Sequence, residues 1–193
     1  SGRPAYSTGF LERARGTARR NVEALAPRVA EGWDVVAIEP SDAVMIQSDY
    51  HDLLAGEAVE RVTASTYGAC EYLVATGLIE DVAFDAPAAR LTYHGHCHQK
   101  ATKKAGFATT ALRGAGYDVE PLDSGCCGMA GSFGYEAEHY SMSLAVGRIL
   151  FDQVDAADGD VVVAPGASCR TQLGEHYATS PPHPIEELAA ALA

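Results

Sequence analysis

The chain has 193 residues, 47% of them hydrophobic and 21% charged, a balance that permits a sizeable core and excludes wholesale disorder. Twenty-six acidic residues against fourteen basic ones give a net charge of −12, which excludes the basic face that a nucleic-acid binder needs. No apolar run approaches the about 20 residues of a membrane span, and no basic-then-apolar leader opens the chain, so neither a transmembrane segment nor secretion is expected.

The first half reads as a helix over about 7–32, with Leu11, Ala14, Val22, Leu25 and Val29 near one stripe, Pro27 as a kink and Gly32 as its stop. Asp34-Val35-Val36-Ala37-Ile38 reads as a buried strand, Pro40-Ser41-Asp42 as a turn, and 43–55 and 57–76 as helical stretches. Pro87 falls in a connector. The second half opens with a strand at 90–94. A helix after Cys97 then ends near Gly114 or Gly116, with Gly106 as a candidate break. A strand over 117–122, a glycine-rich loop and a long helix over about 135–156 follow. The strand Val161-Val162-Val163-Ala164, a short helix after Ser168 and a last helix from His183-Pro184 through Leu192 complete the chain. Strands alternating with helices predict an α/β protein with parallel sheets flanked by helices.

The two halves repeat each other. Ser7-Thr8-Gly9-Phe10 resembles Ser132-Phe133-Gly134-Tyr135, and Asp34-Val35-Val36-Ala37 resembles Asp160-Val161-Val162-Val163, at offsets of about 125. At that offset Ser1-Gly2 falls opposite Cys127-Gly128. The expected organisation is therefore a truncated first half over 1–86 and a complete second half over 87–193, excerpted from a longer polypeptide. Only three bases are lysines, Lys100, Lys103 and Lys104. An acidic, lysine-poor, alanine-rich chain fits a halophile-like acidic surface screened by salt; a GC-rich genome is the plainer explanation. The lysine trio reads as an exposed helical face.

Five cysteines, Cys70, Cys97, Cys126, Cys127 and Cys169, are an odd count, and the adjacent pair is poorly placed for a disulfide with itself. A reducing compartment and a metal or redox role fit better. Cys97, Cys126-Cys127 and Cys169 each lie just beyond a predicted strand, where parallel sheets bind their ligands. Three loops thus deliver four thiols to one place, suited to an iron–sulfur cluster, zinc or copper(I). Gly125, Gly128 and Gly131 let the backbone approach an anionic group and turn N–H groups toward it. The spacing G-x-x-G-x-x-G is not a dinucleotide fingerprint, and no G-K-S/T follows. A nucleophilic Cys97 beside His94, His96 and His98 would leave three cysteines unexplained. Those histidines are alternatively zinc ligands or wall residues, and Cys70 reads as core.

The run Cys97 … Cys126-Cys127-Gly128 … Cys169 resembles the cysteine-rich CCG domain. That domain is found in heterodisulfide reductase, in anaerobic glycerol-3-phosphate dehydrogenase, and in the iron–sulfur parts of FAD-linked glycolate and D-lactate oxidoreductases. His96-Cys97-His98-Gln99-Lys100, Asp123–Gly131 and His183-Pro184-Ile185 look most like the last group. The resemblance implies an oxidoreductase component. A cluster, of the 4Fe-4S kind, on Cys97, Cys126, Cys127 and Cys169 would relay electrons from FAD on another domain or subunit toward a membrane-associated acceptor. It places the chain in the cytoplasm, at the inner membrane face through its partners. Alternatives are a heterodisulfide-reductase-like module, a module like that of anaerobic glycerol-3-phosphate dehydrogenase, and a structural zinc-binding assembly domain. Two residues depart from the pattern: Gly166 stands where the family has the first cysteine of C-x-x-C, and Asp42 where a first-half cysteine is common. No residue reads as an acid–base catalyst, so the chain alone is not expected to turn over a 2-hydroxy acid.

Overall fold

The structure is a computed structural model that describes residues 1–193. It divides into two compact units, Ser1–Ala69 and Cys70–Ala193.

In the first unit, α1 (Arg3–Ser7) and α2 (Leu11–Ala30) replace the single predicted helix. Gly9, in the left-handed region, and Phe10 separate them. Pro27 sits in the last turn of α2, where it removes one N–H bond to the Glu23 carbonyl without ending the helix, and Gly32, at φ +91°, carries the chain out of the helix. Strand β1 (Val35–Ala37) follows, then α3 (Pro40–Val44), a π-helical turn over Met45–Asp49, α4 (Tyr50–Leu53) and α5 (Glu57–Ala64). The stretch expected to stay helical to residue 76 is interrupted by β2 (Thr66–Gly68), which pairs in parallel with β1, Val35 opposite Thr66. Ala14, Ala18, Val22, Met45, Ile46, Tyr50 and Val62 form this unit's core. Tyr50 is fully buried, accepts from Asn21 Nδ2 at 2.7 Å and donates to the Ser1 carbonyl. Asp42 accepts from Ser1 Oγ and so serves local structure.

Helix α6 (Ala69–Ala75) leads into the second unit. Its sheet has three parallel strands in the order β4-β3-β5, namely β3 (Arg90–Tyr93), β4 (Asp118–Pro121) and β5 (Val161–Val163). Between β3 and β4 lie α7 (Cys97–Ala101) and α8 (Gly106–Gly114), separated near Lys103, which adopts φ +59°. A 3₁₀ turn at Phe133–Tyr135 and α9 (Tyr140–Ala156) precede β5, and α10 (Ala167–Tyr177) and α11 (Pro184–Ala190) follow it. The long helix starts five residues later than expected because Phe133 stacks on His139, ring centroids 4.0 Å apart, and the chain between them forms turns.

Strand alternation sends side chains to two cores. Leu91, Tyr93, Val119 and Val163 pack with Ala108, Ala111, Leu112 and Leu188 on one face. Val162 and Ala164 pack with Leu150, Phe151 and Leu173 on the other. A sheet covered on both faces explains why Val161-Val162-Val163 is continuously apolar. The ladder continues one residue past the strands, through His94 N to Val163 O and Leu122 N to Tyr93 O, both 2.9 Å, and so sets where the site loops depart.

A candidate thiolate centre at the strand ends

Cys97 follows the end of β3 by four residues, Cys126 the end of β4 by five, and Cys169 the end of β5 by six. Because the strands are parallel, these loops leave the same edge of the sheet. Cys97 Sγ hydrogen-bonds to Cys126, Cys126 to Cys127, and Cys127 to Cys169. The four predicted ligands are thus brought together. They follow one another as a chain of neighbours; elsewhere, exposed Glu136 and Glu138 and half-buried His139 hold their ligand atoms within 4.8 Å of one another. Cys127 and Cys169 are buried; Cys97 and Cys126 are half-buried and form the outer side. Cys70 is placed elsewhere, in the core with Leu91 and Tyr93, where burial pushes its thiol up to about 12.

Three of the sulfurs meet a backbone N–H donor. Cys97 accepts from His98 N, Cys126 from Gly128 N at 3.4 Å and from Ala130 N, and Cys127 from Met129 N. Cys169 instead meets the ring of His94. Hydrogen bonds from Cys127 and then from Cys97 hold Cys126 far below the ordinary thiol range, and one from Cys127 does the same for Cys169. The partner thiols, Cys97 and Cys127, are raised correspondingly. Half-buried Lys100 adds a positive charge. Burial pulls its ammonium down, against the attraction of Asp123 and of the Cys169, Cys97 and Cys126 sulfurs, and its Nζ donates to the Ser124 carbonyl. The site is therefore built to hold negative sulfur.

The backbone donors come from a left-handed run: Gly128 has φ +100°, Ala130 +42° and Gly131 +73°. This conformation turns successive N–H groups to one side, as in anion-binding nests. The three glycines singled out by the sequence do different things. A Cβ at Gly128 would overlap the Ser143 carbonyl oxygen of α9 and approach Gln172 Nε2 of α10 to 3.1 Å, whereas Cβ atoms at Gly125 and Gly131 would meet nothing within 4 Å. Sequence reasoning missed the receiving wall. Ser143 and Gly147 lie one turn apart on α9, and a Cβ at Gly147 would come 2.7 Å from the Cys127 carbonyl oxygen. Gln172, 2% exposed, donates to Ser143 Oγ at 3.2 Å. Two small residues at i, i+4 on an otherwise apolar helix are the signal that could have found this wall.

Residues 91–174 match the family described as a cysteine-rich domain, CCG. The match covers under half of the chain. It begins in β3, ends in α10, contains all four site cysteines and leaves Cys70 outside. Among curated proteins, the chain is 28% identical over 202 residues to a component of anaerobic glycerol-3-phosphate dehydrogenase, the subunit designated C, of Escherichia coli (strain K12), covering 100% of this chain and 49% of that protein. It is 28% identical over 191 residues to D-2-hydroxyglutarate dehydrogenase of the same strain, covering 97% of this chain and 18% of that protein. It is 25% identical over 184 residues to lactate utilization protein A of Geobacillus thermodenitrificans (strain NG80-2), covering 90% of this chain and 73% of that protein. The chain thus spans about half of the first of these relatives and under a fifth of the second. No helix is long and apolar enough to cross a membrane.

Proposed function

We propose that this chain is an electron-transfer module of a FAD-linked oxidoreductase, with an iron–sulfur cluster of the 4Fe-4S kind on Cys97, Cys126, Cys127 and Cys169. The observation that carries the reading is the donor set: four sulfurs from three strand ends, three facing backbone N–H groups and the fourth an imidazole, beside a half-buried lysine. A four-thiolate cluster is a net anion, and such donors favour its more reduced form. The cluster, when bound, supplies one-electron capacity. The chain's own residues hold it, neutralise it and keep water from its inner side at Cys127 and Cys169. Half-buried Cys97 and Cys126 face outward, where an electron donor or acceptor can approach.

Structural zinc is the alternative that the same four thiolates allow. A five-thiolate, heterodisulfide-reductase-like cluster would need a ligand where Gly166 stands. The flavin lies on another domain or subunit, which carries out substrate oxidation. The named activities of the relatives make a small 2-hydroxy acid the favoured substrate class, with a polyol phosphate as the second. The reading of residues 1–86 and 87–193 as two halves of a repeat belongs to this proposal, as do a cytoplasmic location and a membrane-associated acceptor reached through partners.

Anaerobic reconstitution followed by iron, sulfide and visible-absorption analysis tests it. Wild-type protein and Cys70→Ser take up iron and sulfide equally, and Cys126→Ser takes up essentially none. Stoichiometric zinc with no iron uptake, or equal loss in both variants, would refute the assignment.

A further inference from the structure

His94 leaves the end of β3 and is completely buried. Its Nδ1 lies 2.7 Å from Ser124 Oγ, itself in a buried residue, and its Nε2 has no hydrogen-bond partner in the protein. A buried imidazole nitrogen left without a partner is costly, so the neighbour that it does face matters. That neighbour is Cys169 Sγ. A lone pair on Nε2 would set two acceptors against each other in a buried site. The proton therefore sits on Nε2, and Ser124 Oγ donates to Nδ1.

His96 stands beside the same sulfur. Its Nδ1 accepts the His98 N–H at 3.2 Å, which leaves its ring proton on Nε2 as well. Gly166 makes room for this ring: a Cβ there would overlap His96 Cδ2 and lie 3.0 Å from Nε2 and 3.3 Å from Cys169 Sγ. Cys169 is thus the one sulfur of the four whose facing donors are imidazoles, carried on the loop that also bears Cys97.

We propose that His94 is a positioning residue that donates its Nε2–H to Cys169, oriented by Ser124, and so raises the reduction potential of the group held by the four sulfurs. This rests on the reading that the group is an iron–sulfur cluster. A donor to a thiolate ligand stabilises the more negative, reduced state; removing it disfavours reduction.

The test is a potentiometric titration, followed by electron paramagnetic resonance, of the anaerobically reconstituted chain. Wild type is compared with His94→Leu, which keeps the bulk, and His94→Gln, which restores an N–H. All three load equal iron and sulfide. His94→Leu shifts the one-electron equilibrium about tenfold against reduction, or about 59 mV downward, and His94→Gln recovers most of that shift. If His94→Leu does not fold, as judged by circular dichroism, Ser124→Ala gives the same readout, because it frees the ring and leaves the sulfurs in place. An unchanged midpoint in the variant measured overturns the inference. Loss of iron in His94→Leu with a native circular dichroism spectrum also overturns it, since His94 would then be a ligand. Failure of wild type to load iron overturns the cluster reading instead.

Discussion

Replacing Gly128 with alanine is the sharpest test of how the cysteine loop is held. Two separate penalties apply. Gly128 has φ +100°, where an L side chain costs roughly 1–2 kcal/mol. The added Cβ also overlaps the Ser143 carbonyl oxygen and comes 3.0 Å from its carbon. Backbone atoms of a 17-residue helix cannot swing aside as a side chain does, and overpacking of this kind costs about 1–3 kcal/mol. The sum, about 2–5 kcal/mol, is a large part of the about 5–15 kcal/mol that stabilises a domain. For a chain of this size it lowers Tm by about 4–20 °C. Gly131→Ala meets only the first penalty, because the space around it is open, and falls by about 2–8 °C. Gly125→Ala meets neither and stays within about 0.5 kcal/mol of wild type. Thermal unfolding followed by circular dichroism, on metal-free protein under reducing conditions, measures the series. If Gly125→Ala proves as damaging as Gly128→Ala, the loop is not held by its contact with α9 and the argument fails.

Cys70 resists alkylation: with its thiol at about 12, only about one molecule in ten thousand carries the thiolate at pH 8. Mass spectrometry after iodoacetamide treatment of metal-free protein finds Cys126 labelled well before Cys70, and comparable labelling contradicts the burial described. The net charge of −12 makes the fold favour salt. Raising sodium chloride from about 0.01 M to about 1 M shortens the Debye length from about 30 Å to about 3 Å. The midpoint then rises by about 2–4 °C for each 1 kcal/mol of relieved repulsion. A midpoint that is flat or falls with salt removes the case for a salt-adapted surface.

Much of the fold could be read before any coordinates. The apolar runs Val35-Val36-Ala37 and Val161-Val162-Val163, and the polar–apolar alternation of Arg90–Tyr93, are bounded clearly enough to mark strands. β2 was hidden because Thr66-Tyr67-Gly68 is not an apolar run like β1 and β5, and Thr66 also resembles the end of the preceding helix, with its Oγ1 bonded to the Val62 carbonyl. The late start of α9 depends on a ring stack between Phe133 and His139, which local propensity does not contain. In the site, chain order was enough to place four cysteines at strand ends. The partners that orient them were not: Ser124, Ser143 and Gln172 act through contacts spanning about thirty residues. His94 and His96 were conspicuous by composition, but their roles follow only from which ring nitrogen is already engaged.

The outer pair of sulfurs has a consequence for handling. Cys97 and Cys126 are hydrogen-bonded neighbours on different loops, and Cys126 is the one held as a ready nucleophile on the open side. Air reaching this rim turns that intimacy into a cross-link, stapling the β3 and β4 loops together and removing two of the four ligands in a single event. Material prepared in oxygen would then look metal-indifferent for a reason unrelated to its biology, until a thiol reductant reopens the pair.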